Sequence, residues 1–189
     1  MEPITLGFAL CGSFCTYRKV LDALAELCQH YRILPIQSEI SAATDSRFGK
    51  AADFRLEIEG LCGNPILDTI PAVEPIGPKK LLDALVIAPC TGNTLAKLAN
   101  GIADSPVTLA CKAHLRNERP VIVAVSTNDG LGANARNLGT LLARKHFYFV
   151  PFGQDDPIGK LASLVADMQK IPESVAAALE GRQLQPILL

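Results

Sequence analysis

Apolar and polar positions alternate in blocks along this chain. Short, almost wholly apolar runs are each followed by a longer stretch whose apolar residues fall three and four apart. The first block predicts a strand over Thr5 to Cys11, then a helix from Thr16 to about Tyr31, with Val20, Leu21, Leu24, Leu27, Cys28 and Tyr31 on one face. Arg32 to Gln37 reads as a second strand and Ser46 to Leu61 as a weaker helix. The Pro- and Gly-bearing segment that follows, to Pro78, reads as loop or short strand. Ala84 to Ala88 is a buried strand that stops at Pro89. A helix then carries Leu95, Leu98, Ala99 and Ile102 on one face.

Further on, the pattern predicts a helix over Pro106 to Asn117, a strand over Val121 to Val125, a helix over Leu131 to Lys145 and a strand over Phe147 to Val150. Asp155-Asp156-Pro157 supplies a cap and a first-turn proline. Ile158, Leu161, Leu164, Val165 and Met168 continue at helical spacing, and a last helix, Glu173 to Glu180, ends at Gly181. The apolar end Ile187-Leu188-Leu189 is either a frayed terminus or a tail that docks on a neighbouring subunit. Strands alternating with helices predict one three-layer α/β domain over 1–189, a mostly parallel sheet with helices on both faces and C-terminal helices and tail from about 157.

Composition narrows the function classes. At 189 residues, 49% hydrophobic and 20% charged, the chain can bury a core unaided and is neither disordered nor membrane-like. A formal net charge of -1 with no basic tract disfavours nucleic acid and anionic membrane surfaces as partners. No run approaches the roughly 20 apolar residues of a bilayer span, and the first residues carry no export-signal pattern, so a cytoplasmic location is expected. The six cysteines (Cys11, Cys15, Cys28, Cys62, Cys90, Cys111) include no C-x-x-C pair, and His30, His114 and His146 are scattered. Reduced thiols and no metal are expected.

Candidate chemistry gathers where strands end. Cys11-Gly12-Ser13-Phe14 closes the first strand; Gly12 permits a tight turn, and Ser13 offers a hydroxyl and an N–H to a phosphate. The loop lacks both G-x-G-x-x-G and a P-loop lysine, so it suits a mononucleotide better than NAD or ATP, or it is simply a turn that needs a glycine. Ser38, closing the second strand, completes a phosphate cradle or is a solvated loop serine. Thr91, Asn93 and Thr94, at the start of the helix after Pro89-Cys90, suit an anion or a cofactor carbonyl, or are ordinary caps. Ser126-Thr-Asn-Asp-Gly-Leu-Gly132 places Ser126, Thr127 and Asn128 on a glycine-flexible loop fit for a polar substrate or cofactor, or for capping a helix.

Three stretches carry a family resemblance: Glu74-Pro-Ile-Gly-Pro-Lys-Lys80, Pro89-Cys-Thr-Gly-Asn-Thr94 with the residues to Asp104, and Ser126 to Gly132. The hexapeptide from Pro89 is similar to the Pro-Ala-Ser-Ala-Asn-Thr motif of the homo-oligomeric flavin-containing cysteine decarboxylase-like flavoproteins. Within them the chain resembles the dipicolinate synthase B subunits, from about Thr5 to Pro157. The resemblance implies a flavodoxin-like (Rossmann-like) fold and FMN as cofactor. It places Gly12, Ser13 and Phe14 with Ser38 around the phosphate, and Pro89, Cys90, Thr91, Asn93 and Thr94 with Ser126 and Thr127 around the rest of the cofactor. Asn93 and Asn128 would orient a small dicarboxylate substrate. It further implies a homo-oligomer, a partner A subunit carrying NADP, and oxidation of a dihydrodipicolinate-type ring in the mother cell of a spore-forming bacterium. A non-catalytic binding subunit is the alternative, and a stand-alone FMN-dependent decarboxylase or flavin prenyltransferase a further one.

The departures bear on chemistry. The decarboxylases carry a histidine where Pro75 falls here, and a Pro-x-Met-Asn clamp with a following Met-Trp, of which only Asn128 is matched. Cys90 replaces their alanine; it is either a reactive thiol at a helix N-terminus or a small packing element. Lys79 and Lys80 are either a charge match for a dianion or a solvated pair.

Overall fold

The computed structural model describes residues 3–189. Five parallel strands form the body of the sheet: β1 (Thr5–Leu10), β2 (Arg32–Gln37), β3 (Ala84–Cys90), β4 (Val121–Thr127) and β5 (Phe147–Phe149), in the spatial order β2-β1-β3-β4-β5. All seven residues of β3 and the first six of β4 are buried, as expected of strands covered on both faces. Two short strands, β6 (Phe152–Gly153) and β7 (Leu164–Ala166), extend the sheet antiparallel from Ser126 and Thr127 at the carboxyl end of β4.

The long helices are α1 (Tyr17–Leu27), α3 (Ala51–Cys62), α5 (Gly92–Ala99), α6 (Pro106–Leu115), α7 (Ala135–Leu142) and α8 (Ile171–Leu179); α2 (Glu39–Ala43) and α4 (Ile70–Val73) are single turns. Helices α1 and α8 pack together on one side of the sheet, and α5 packs with α6 and α7 on the other. The buried stripe of α1 is Val20, Leu21, Leu24 and Leu27. At α6 the Ser105 and Thr108 side chains cap each other's backbone and Pro106 opens the first turn, which fixes the start of that helix. This is the doubly wound arrangement in which neighbouring loops diverge between β1 and β3, leaving a crevice at the strands' carboxyl ends.

Several elements differ from the sequence reading. Strand β3 does not stop at Pro89. A register shift against β4 between Ile87 and Cys90 adds a residue on β3 and carries Cys90 into the sheet. Helix α5 ends at Ala99, and Ile102 lies beyond it, 47% exposed, instead of extending its apolar face. The stretch expected as loop up to Pro78 holds α4 and a 3-10 turn over Glu74–Ile76, and α2 is a turn too short to show a period in the sequence.

The largest correction concerns residues 157–168. Ile158 and Leu161 are exposed, whereas Leu164, Ala166 and Met168 are buried at period two. The chain there is an irregular strap running into β7, because pairing with β4 outweighs the accidental helical spacing. The tail is neither frayed nor free: Ile187 O accepts from Phe152 N and Leu189 N donates to Phe152 O, both at 3.0 Å.

Candidate functional site

Four chain segments meet at the carboxyl ends of β1 to β4. After β1, Gly12 approaches Ile40 so closely that a Cβ would lie 3.0 Å from its Cγ2. Ser13, on the same loop, reaches across to β4, its Oγ 2.7 Å from Ser126 Oγ. After β2, Ser38 Oγ accepts from Ser41 N at 3.2 Å and caps α2. Ser41 Oγ in turn receives Gln37 Nε2 at 3.1 Å and meets the buried Tyr17 hydroxyl, so this loop is anchored from beneath.

After β3, Thr91 Oγ1 accepts from Thr94 N at 3.3 Å and donates to Thr94 Oγ1 at 3.1 Å. Thr94 Oγ1 donates onward to Cys11 Sγ at 3.4 Å. The cap expected from the sequence is therefore made at Thr91, and Ser38 caps a helix where a cradle or a solvated loop serine is expected; each still borders open space. Gly92 opens α5 against a polar knot: Thr127 Oγ1 and Asn134 Nδ2 both donate to Asp129, the latter at 2.9 Å to each oxygen, and Asn137 Nδ2 donates to Asn134 Oδ1 at 2.9 Å. The Thr127 hydroxyl and the Asn134 amide hold the Asp129 carboxyl below the usual carboxylate range. Asp129 is thus occupied within the fold.

Two adjoining clefts result, both bordered by Gly12 and Thr91. The larger, about 520 Å³, is lined by Ser13, Ser126, Thr127 and Asn128, among others. The smaller, about 300 Å³, is lined by Ser38, Asn93, Thr94 and Lys97 with Glu39 and Ile40. Lys97 Nζ is held by Asp104 at 2.8 Å. The structure thus brings Gly12, Ser13, Thr91, Ser126, Thr127 and Asn128 to one cavity and Ser38, Asn93 and Thr94 to the next. Phe14, Pro89 and Cys90 line neither cleft. Phe14 packs against the Tyr17 ring, with centroids 5.2 Å apart.

Cys90 is fully buried, and burial pushes its thiol well above the ordinary range, opposite to what a helix N-terminus alone would do. Its neighbour Cys11 is pushed up to about 11 by the same cause. Pro75 sits in the 3-10 turn away from both clefts, Lys79 and Lys80 are exposed, and among the described residues no histidine lines either cavity. Asp155 and Lys160 do line the larger cleft. Sequence reasoning misses them because the strap that carries them matches a helical pattern; the signal available is the polar and turn-forming run Gly153-Gln-Asp-Asp-Pro157 and the glycine before Lys160.

Volumes of this size are those of small-molecule sites. The donor set, hydroxyls and amides around a glycine turn at a sheet's carboxyl edge, fits a nucleotide phosphate and a heterocycle rich in acceptors. The Flavoprotein family profile matches residues 1–177. The chain belongs to the Flavoprotein family. The dipicolinate synthase B subunit of Bacillus subtilis (strain 168) is 46% identical over 185 residues, covering 97% of this chain and 92% of that one. The crystal structure of the dipicolinate synthase B subunit from Bacillus halodurans superposes with a TM-score of 0.90 at 45% identity, over 98% and 96% of the two chains. The FMN-dependent cysteine decarboxylase SpaF shares the fold, with a TM-score of 0.68 at 23% identity over 94% and 96%.

Proposed function

We propose that this protein is the flavin-type B subunit of a dipicolinate synthase. With a nicotinamide-binding A subunit it takes part in oxidising a dihydrodipicolinate-type ring to the aromatic pyridine dicarboxylate. The observation that carries this reading is the 46% identity to a B subunit along nearly the whole of both chains. In it, Gly12, Ser13, Ser38, Thr91, Thr94, Ser126 and Thr127 hold FMN, and Asn93 and Asn128 orient the substrate carboxylates from the two adjoining clefts. When bound, the flavin supplies a hydride acceptor. The chain's own groups bind and orient, since neutral amides and hydroxyls can pair with carboxylates without a buried unmatched charge. NADP belongs to the A subunit in this scheme, and self-association of the B chain and a cytoplasmic setting in a spore-forming bacterium go with it.

One observation favours a second reading, a binding subunit without redox chemistry of its own: among the described residues no histidine lines either cleft. The visible absorption spectrum of the purified chain, with and without added FMN, separates the two. Shifted flavin bands that survive gel filtration are expected. A chain that takes up no FMN, alone or with the A subunit, would leave the binding subunit as the working description.

A further inference from the structure

The larger cleft is almost wholly neutral. Ser13, Thr16, Ser126, Thr127, Asn128 and Ser163 supply uncharged polar groups, and two charged side chains reach it, Asp155 and Lys160. Both belong to the strap between β6 and β7, and Lys160 Nζ lies 2.9 Å from Asp155 Oδ2. The strap has fixed attachments. Gln154 Nε2 donates to Leu161 O at 2.9 Å, Leu131 N donates to Ala162 O at 3.0 Å, and Ser163 Oγ donates to Thr127 O at 3.2 Å. The last contact ties it to the strand end that carries Ser126. Ser163 and Lys160 together hold the Asp155 carboxyl below the usual range, so it is ionised at neutral pH.

Charge at this cleft is therefore one cation cancelled by one anion. The lysine side chain is 58% exposed, and ion pairs in such settings are held weakly and exchange readily. We infer that Lys160 is the residue that selects an anionic ligand in this cleft: it exchanges Asp155 for the ligand's oxyanion, and Asp155 is its counterion when the cleft is empty. The inference rests on the proposed function for the identity of the ligand. Two sources of that oxyanion share the chemistry: a carboxylate of the pyridine dicarboxylate and the phosphate of FMN.

The test is a pair of variants of opposite charge effect and one charge-conserving control, each full chain titrated separately with FMN and with pyridine-2,6-dicarboxylate. Lys160→Gln leaves Asp155 uncompensated and is expected to weaken anion binding by about tenfold. Asp155→Asn frees the lysine and is expected to tighten it by roughly threefold, while Lys160→Arg keeps near wild-type affinity. Both positions are at the cleft rim, so thermal stability should stay within about a degree of wild type. If the dicarboxylate responds and FMN does not, the lysine reads the substrate; the reverse result assigns it to the phosphate. Both affinities staying within twofold in Lys160→Gln and Asp155→Asn, or the two variants shifting an affinity in the same direction as each other, overturns the inference while the functional reading stands. A wild-type chain that binds neither ligand, alone or with the A subunit, overturns both.

Discussion

Ser13 and Ser126 are 113 positions apart in the chain, yet their Oγ atoms meet at 2.7 Å across the carboxyl ends of β1 and β4. Neither strand is the other's neighbour; β3 lies between them. The contact is made by the loop after β1 reaching over β3 to the carboxyl end of β4, which is how a crevice at a switch point acquires two walls.

That convergence makes Ser13 a sensitive position. Ser13→Asp places a carboxylate where the proposed reading puts a phosphate. At about 4 Å and an intermediate dielectric the repulsion is several kcal/mol, so a loss of FMN affinity of about a hundredfold or more is expected. Fluorescence titration of FMN measures it, with circular dichroism to show the fold intact. Unchanged affinity would remove the phosphate from this loop.

Gly92 faces the Asp129 knot with no room for a side chain. A Cβ there would lie 2.5 Å from Thr127 Oγ1, 2.6 Å from Asn134 Nδ2 and 2.8 Å from Asp129 Oδ1. These atoms are tied to one another, so none can retreat cheaply. Gly92→Ala is expected to cost about 1–3 kcal/mol, read as a lowered urea midpoint at unchanged slope. It should also weaken ligand binding in both clefts, because Thr91 moves with it.

Cys90 and Cys15 should separate cleanly in alkylation. Cys15 is exposed, whereas Cys11, Cys90 and Cys111 are buried. Iodoacetamide under native conditions is expected to modify Cys15 first and Cys90 only on unfolding, as peptide mass mapping would report. Cys90→Ala should cost about 1 kcal/mol and keep FMN affinity within about threefold. A large loss of binding would instead make the thiol part of the site.

His114 should give the fold an acid limb. Its ring is buried, Nε2–H donates to Pro120 O at 3.0 Å, and Nδ1 has no partner among the described residues. Burial, with the nearby Arg119 charge adding to it, lowers its pKa from 6.5 to about 4 against the opposing effects of the Pro120 bond and Asp83. Because the unfolded chain takes the proton first, this contribution is intact above pH 6.5 and is lost progressively down to about pH 4. The full loss is about 3 kcal/mol. His114→Leu should flatten that slope and, at pH 8, cost about 1 kcal/mol for the Pro120 carbonyl left unpaired. Urea melts of both proteins across the window check it; parallel curves would contradict the assignment.

The strands of the sheet body and most long helices are legible in the sequence because each is a run of one period: β3 and β4 are uninterrupted apolar runs, and α1 is a clean 3.6 stripe. The glycine turn and the hydroxyls after β1 and β3 are legible for the same reason, since strand ends locate them; Ser126 and Thr127, expected on a loop after Val125, are the last two residues of β4. What escapes lies where two periods fit one string. Ile158, Leu161, Leu164, Val165 and Met168 satisfy a helix, and Leu164, Ala166 and Met168 satisfy a strand; the edge at Ser126 and Thr127 that β5 leaves unpaired, far off in sequence, decides between them. Asp155 and Lys160 are hidden with that strap. Asp129 looks like a ligand contact because its partners, Thr127 at the end of β4 and Asn134 just before α7, are brought to it by a loop whose path a local pattern does not specify.

Gly12 and Thr91 each form part of both cavities, so an occupant of either one touches the same two residues. A ligand that shifts either residue changes the surface that the other ligand meets. By thermodynamic reciprocity, whatever factor a nucleotide contributes to the grip on a dicarboxylate, the dicarboxylate must return to the nucleotide. The two titrations are then faces of one cycle, and a ligand that loosens the other would point to these two shared residues.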